Sequence, residues 1–456
     1  MICVCSFIRR QRYKSVSIFA HPKKLFTFAN ETCGNITDAV KYFIPLLFVL
    51  VGCTGKPSSI ADAYEISNVI DLDAGLKSVQ TVKLSEIADS VTFLPLETTR
   101  NSLFGATKDY ISFTPSYIFD FDKYFEWTGK FGGKVGSRGN GPLEEPQGVL
   151  NSLFADNHFY SKGSKFIEYD LTGKPTQKVR NLYSVSDLHA GKAPGAFVNA
   201  SGFFVSGDYF AIYDYPSTMY FFDKNFETVS SRVVTEVETV QILPGRVAKS
   251  NYVSYYKNHV LFYNFMNDTI FYVKDTGLEP QWMVSYNDSS RYPTEIVIKS
   301  DYGKLTSEAM RARREGKYED SEWAQLTEKK HKVTAVYETE LYLFFTMIES
   351  IRLAESRGLQ PAVPYIVLYE KSTGKTVRVK GSGFVDDLLG MDFFYPALGV
   401  YDENLITAIW PYELLEYLNE SKAKGREVHP QLLTLSKQVK KDDNPVLIFV
   451  HLKKGS

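Results

Sequence analysis

Tyr169-Asp170-Leu171-Thr172-Gly173-Lys174 is the stretch on which the fold turns. It ends an aromatic strand, places an acidic residue, turns through glycine and opens a second strand. Alternating apolar residues around a Gly- or Asn-bearing turn signal a β-hairpin, because the turn needs positive φ. The phrase recurs as Phe125-Glu126-Trp127-Thr128-Gly129-Lys130 and Phe222-Asp223-Lys224-Asn225. It returns as Val273-Lys274-Asp275-Thr276-Gly277 and Tyr369-Glu370-Lys371-Ser372-Thr373-Gly374-Lys375. Aligned on Glu126, Asp170, Asp223, Lys274 and Glu370, the copies are 44, 53, 51 and 96 residues apart.

The longest interval contains a charged segment, 301–332, whose removal leaves 64 residues, one further unit. After Glu370 there remain 86 residues, of which 411–439 read as helical; the other 57 make a last unit. Five phrases and this terminal unit give six. A period near 40–50 residues with several strands per unit predicts a six-bladed β-propeller. A second series agrees with it. Asp156-Asn157-His158, Gly207-Asp208-Tyr209, Lys257-Asn258-His259 and Asp402-Glu403-Asn404 each set a polar turn before an apolar strand. Asp and Asn suit such turns because they tolerate left-handed backbone. His158 and His259 take equivalent positions in this series, which points to a repeated structural role.

The helical segments are expected inside the fifth and sixth blades. The insert at 301–332 carries Leu305, Met310, Tyr318, Trp323 and Leu326 among many charges and predicts one or two amphipathic helices. The pair at 411–439 splits at Gly425 and Pro430, with Pro411 and Pro430 as first-turn residues. Val446-Leu447-Ile448-Phe449-Val450 is then a last strand, expected to close the ring beside one from residues 90–96.

The N-terminal region supplies an address. Lys41 precedes an apolar run, Tyr42 to Val51, that ends in Leu50-Val51-Gly52-Cys53. The run is about half the roughly 20 residues needed to span a bilayer, so it reads as a secretory signal. Leu-x-Gly-Cys is similar to a bacterial lipobox, which makes Cys53 the lipidated first residue of the mature chain. The expected organisation is 1–52 signal peptide, 53–87 tether and lead-in, and 88–456 propeller. About forty residues before the apolar run are too many for a signal. Translation from Val40 on a GTG codon would produce an ordinary leader, with 1–39 a mis-called extension.

Composition agrees with export and β structure. The cysteines are Cys3, Cys5, Cys33 and Cys53, so past the lipid-bearing residue no disulfide or thiolate metal site is possible. Tyr (30) and Phe (32) are abundant, and aromatics favour pleated surfaces. A net charge of −1 makes no case for nucleic acid.

Ser90-Val91-Thr92-Phe93-Leu94-Pro95-Leu96-Glu97-Thr98 resembles the opening of six-bladed β-propeller lipoproteins of Bacteroidota. Gly129-Lys130-Phe131-Gly132-Gly133-Lys134-Val135-Gly136-Ser137-Arg138-Gly139-Asn140-Gly141-Pro142 is similar to the blade ending of NHL-type propellers. Asp442-Asp443-Asn444-Pro445-Val446 resembles the family's closing strand. The likeness runs from Ser90 to Leu452 and implies fold and envelope location rather than an activity. The chain departs from the family at Gly141-Pro142-Leu143-Glu144-Glu145, where a further glycine and an aromatic are usual.

That loop is the densest polar, Gly-rich segment and the candidate ligand site. Its glycines can bare N–H groups, Arg138 can pair an anion, and Asn140, Glu144 and Glu145 can meet a cation or a sugar hydroxyl. The plainer reading is a crossover between blades whose glycines need positive φ. No Lys-Ser/Thr follows the glycines, so it is not a phosphate-binding loop. No HExxH or Gly-x-Ser-x-Gly is present, and neither a cofactor motif nor catalytic residues can be named. The expected function is an outer-membrane lipoprotein, on the periplasmic side, whose propeller binds a small ligand or protein partner on one face. The alternative is a metal-dependent lyase or hydrolase at the pore, which requires three His, Asp or Glu side chains from different blades to converge.

Overall fold

The computed structural model describes residues 68–104, 111–145, 152–162, 165–181, 200–214, 218–234, 253–257, 259–264, 266–287, 289–292, 302–327, 329–349, 353–354, 358–359 and 364–455. The signal, the Val40 start and Cys53 fall outside them.

Six small antiparallel sheets form a six-bladed propeller. In chain order the blades span 111–134, 152–181, 200–233, 253–285, 331–379, and 399–452 joined by 88–95. Each repeated phrase is the turn between the third and fourth strands of its blade, and each polar turn of the second series joins the first and second.

The acidic residue of the phrase is the anchor of its turn. Asp170 Oδ1 accepts from the backbone N–H of Thr172 at 2.8 Å and of Lys174 at 3.1 Å. Asp223 Oδ1 does the same for Asn225 at 2.8 Å and Glu227 at 2.9 Å. Positive φ falls on Gly129, Gly173 and Gly374, as the turns require, but on Phe226 and Asp275 in the third and fourth blades. Phe226 holds this conformation because its ring is buried against Tyr160, Phe166 and Phe210. Packing there outweighs the cost of left-handed backbone.

The ring closes as the hydrophobic pattern predicts. Val446–Leu452 pairs antiparallel with Ala88–Pro95, Val446 opposite Pro95 and Val450 opposite Val91. Asn444, just before the closing strand, is buried. Its Nδ2 donates to the carbonyls of Glu97 (2.8 Å) and Ser102 (2.9 Å), and its Oδ1 accepts from Phe104 N at 2.9 Å. One side chain thus ties the C-terminal strand to the loop leaving the N-terminal one.

Residues 68–87, expected as a lead-in, are built into the outer rim. Val69–Asp71 adds a parallel strand to the outer edge of the fourth blade, and Val79–Gln80 adds one to the fifth. Ile70, Leu72, Val82, Leu84 and Ile87 are buried.

The helical segments form over the expected residues, the pair inside the sixth blade and the insert ahead of the fifth blade rather than inside it. Pro411–Ala423 and Pro430–Ser436 each begin on proline, with Gly425 at positive φ between them. Tyr302–Arg314 and Glu322–Thr327 lie in the crossover that precedes the first strand of the fifth blade. Leu305, Ala309 and Trp323 pack together with Tyr318, while Met310 and Leu326 stay exposed. Among the described residues, no helix is long and apolar enough to cross a membrane.

Candidate functional site

The first blade is built from strands of only three or four residues, whereas the fourth has strands of four to nine. Beside this short blade a cavity of about 890 Å³ opens on the face that carries the first-to-second strand turns. The innermost strands of five blades reach it, through Phe113, Phe154, Val205, Tyr255 and Tyr401, so it is the mouth of the central channel. It extends outward between the closing and first blades to Phe93, Trp127 and Phe449.

The wall is an aromatic stack. Trp127 lies against Tyr401 at 5.6 Å and 18° and against Phe113 at 6.0 Å and 27°. Its Nε1 donates to the Thr114 carbonyl at 3.1 Å, which fixes the indole plane. Burial pushes the Tyr401 phenol well above its ordinary range, so it stays neutral. Phe113 and Tyr401 are themselves 5.9 Å apart, so the three rings form a triangular cluster rather than a sandwich about the indole.

Polar groups are few. Apart from the phenols of Tyr255 and Tyr401, Lys257, Asp402 and His451 are the ionisable residues of the wall. The His451 ring is tied to Thr92 Oγ1 at 2.8 Å. Asn404 Nδ2 donates to the Asp402 carbonyl at 2.6 Å, while its Oδ1 is buried with no hydrogen-bond partner among the described residues. Among the described residues, no three His, Cys, Asp or Glu side chains stand close enough to hold a metal ion.

On the same face, between the fourth and fifth blades, lies a second polar cluster. The buried Glu338 pairs with Lys371 Nζ at 2.6 Å and accepts from Tyr272 OH at 2.9 Å. The Lys371 ammonium sits over Tyr256 (4.9 Å) and Trp282 (5.7 Å), and His259 stacks on Tyr272 at 4.7 Å. Burial raises the Glu338 carboxyl against the lowering effect of Lys371.

The Gly-rich loop lies in the crossover from the first blade to the second. Arg138 and Asn140 are exposed, Glu144 is half-buried and Glu145 is buried. Glu144 Oε2 accepts from Gly141 N at 2.9 Å, and Glu145 Oε1 accepts from Lys165 N at 3.1 Å. The carbonyls of Gly141, Pro142 and Glu144 converge on Lys165 Nζ at 2.8, 3.1 and 2.9 Å. The cation held by this loop is therefore the chain's own ammonium. The four residues share one loop but do not face the cavity. Sequence reasoning missed Trp127, Tyr401 and Asn404 as wall residues. All three lay inside or beside recognised turns, but nothing local told which turns meet.

A solved structure of a Bacteroides fragilis protein assigned as exported is similar at 17% identity and a TM-score of 0.56, over 85% of this chain and 100% of that one. BamB from Moraxella catarrhalis aligns at 15% identity and a TM-score of 0.24, over 63% of this chain and 66% of that one. No curated protein matches in sequence. The model of DUF4934, a domain of unknown function, matches residues 67–451, so the chain belongs to the DUF4934 family.

Proposed function

We propose that the propeller is a binding module whose ligand enters the cavity at the channel mouth. The observation that carries this reading is an aromatic cavity of about 890 Å³ reached by the innermost strands of five blades. That size and lining suit a small ligand with an apolar body. The second reading, a metal-dependent lyase or hydrolase at the pore, requires three His, Asp or Glu side chains from different blades to converge.

The setting proposed is the cell envelope. Cys53 carries the lipid and holds the disc on the periplasmic side of the outer membrane, as a lipoprotein of Bacteroidota type. The exported Bacteroides fragilis neighbour is compatible with this setting. Kinship with NHL-type propellers is proposed on the loop from Gly129 to Pro142. Arg138, Asn140, Glu144 and Glu145 stand as a secondary candidate, limited to Arg138 and Asn140 for outward contacts.

The test uses anilinonaphthalene sulfonate as an apolar probe, read by its own emission and by quenching of Trp127. Saturable binding is expected. Ala155→Trp, which fills the cavity from the second blade, should abolish it while leaving the thermal midpoint nearly unchanged. Equal probe binding by a folded Ala155→Trp protein overturns the cavity as the site. For the anchor, Cys53→Ser should eliminate labelling by a fatty-acid analogue and release the protein from membranes.

A further inference from the structure

We infer, resting on the binding role proposed above, that the ligand of the channel mouth is an amphiphile with a long hydrocarbon chain, laid along the flank of the sixth blade. The first blade has strands of three or four residues, and the sixth has strands of up to eight. At about 3.3 Å per residue the sixth blade is therefore taller than the first by about 10 Å. Low on its flank, Ile406, Ala408 and Leu447 pack against Ile111, Ile118 and Phe125 of the first blade. Higher up the flank opens to the cavity. All four strands of the sixth blade reach it there, through Tyr401, Asn404, Phe449 and Phe93.

Shape sets the length of the ligand. Four strands are three spacings of about 4.8 Å, so the slot runs about 14 Å along the blade. It then continues across the channel mouth to Val205 and Tyr255 on the third and fourth blades. Tyr255 shows 38% of its surface, yet burial pushes its phenol up to about 12, as befits a ring that stands inside a cavity. A compact ring system would leave much of such a slot empty. A hydrocarbon chain, with C–C bonds of about 1.5 Å, advances about 1.25 Å per carbon, so about twelve carbons cover the 14 Å beside the blade.

Chemistry sets the class. Peptides and sugars carry polar groups along their whole length, and burying those without partners is costly. This wall spends most of its polar groups on itself. Thr92 Oγ1 is tied to the His451 ring, Thr114 Oγ1 donates to the Tyr117 carbonyl at 2.9 Å, and the Thr114 carbonyl accepts from Trp127. Lys257 and Asp402 are exposed, on the first-to-second strand turns of the fourth and sixth blades. Between these polar ends the lining is apolar, with Phe113, Trp127, Leu153, Phe154 and Phe449. A hydrocarbon chain asks for no partner there, and its polar head stays at the open face.

The test is a chain-length series of saturated fatty acids, from hexanoate to dodecanoate, displacing anilinonaphthalene sulfonate from the full chain. A fully buried methylene tightens binding about fourfold, so each two-carbon step should gain about tenfold as far as dodecanoate. The same rise is expected in lysophosphatidylcholines of matching chain length, and the tighter arm tells a free fatty acid from a membrane lipid. Thr92→Trp, at the outer end of the slot, should weaken dodecanoate at least about tenfold more than hexanoate. Equal displacement by hexanoate and dodecanoate in both arms overturns the hydrocarbon class while leaving the cavity as a binding site. So does a folded Thr92→Trp protein with dodecanoate binding intact. Failure of the dye itself to bind overturns both readings.

Discussion

Replacing Asn444 by alanine tests how the ring is held shut. The side chain is buried and satisfies three backbone groups from the opposite end of the chain. The Glu97 carbonyl keeps a second partner, Ser102 Oγ at 2.7 Å, so truncation orphans the Ser102 carbonyl and the Phe104 N–H. A buried group left without its partner costs about 1–3 kcal/mol, and with the small void the loss should be about 3–5 kcal/mol. A ring of this size sits at the low end of the roughly 2–4 °C per kcal/mol seen for sizeable domains, so the midpoint should fall about 6–10 °C. Thr98→Val removes only the acceptor of Asn444 N at 2.8 Å and should cost about 1 kcal/mol. Calorimetry on both variants decides the matter. A midpoint for Asn444→Ala within about 2 °C of the parent, or equal to that of Thr98→Val, refutes the clasp.

The remaining predictions concern the buried charge, the turns and the cavity. Lys371→Met leaves Glu338 buried without its ion, at a cost of about 3 kcal/mol at neutral pH. The folded pKa of Glu338 is already raised, so its contribution is fully present below the unfolded value of about 4.3 and is lost as pH rises through the folded one. Without Lys371 that loss moves to higher pH and grows, so the melting difference from the parent should widen between pH 5 and pH 7.5. A pH-independent difference rejects the pairing. Gly173→Ala forces a Cβ into the Lys134 carbonyl at positive φ and should cost about 3 kcal/mol. Gly374→Ala, with open space around it, should cost about 1 kcal/mol, and urea midpoints will rank the two. Asn404→Leu removes only an acceptor buried behind the cavity wall and should leave binding of the apolar probe unchanged, as read by titration.

The blades were legible because their signals are local. An acidic residue followed by a tight turn works through hydrogen bonds within four residues, as at Asp170 and Asp223, so spacing alone counted five copies. Ring closure was legible for the same reason at one remove: Val446–Leu452 is a continuous apolar strand that needs a partner, and Ala88–Pro95 is the strand without a third-to-fourth turn of its own. The role of 68–87 was harder to read. Val69–Asp71 and Val79–Gln80 are too short for periodicity, and they become strands only by borrowing the edge of another blade.

Sequence by itself determined the number of blades, the turns that build them, the closing strand and the proline-led helices, because each rests on contacts between neighbours along the chain or on one long apolar strand. Tertiary structure alone decided which turns meet. It brought Trp127, Tyr401 and Asn404 together from opposite ends of the chain to wall the cavity, and it turned the glutamates of the Gly-rich loop inward around Lys165. Those outcomes depend on blade length and on the angle between blades, quantities set by side-chain volume summed over the whole ring.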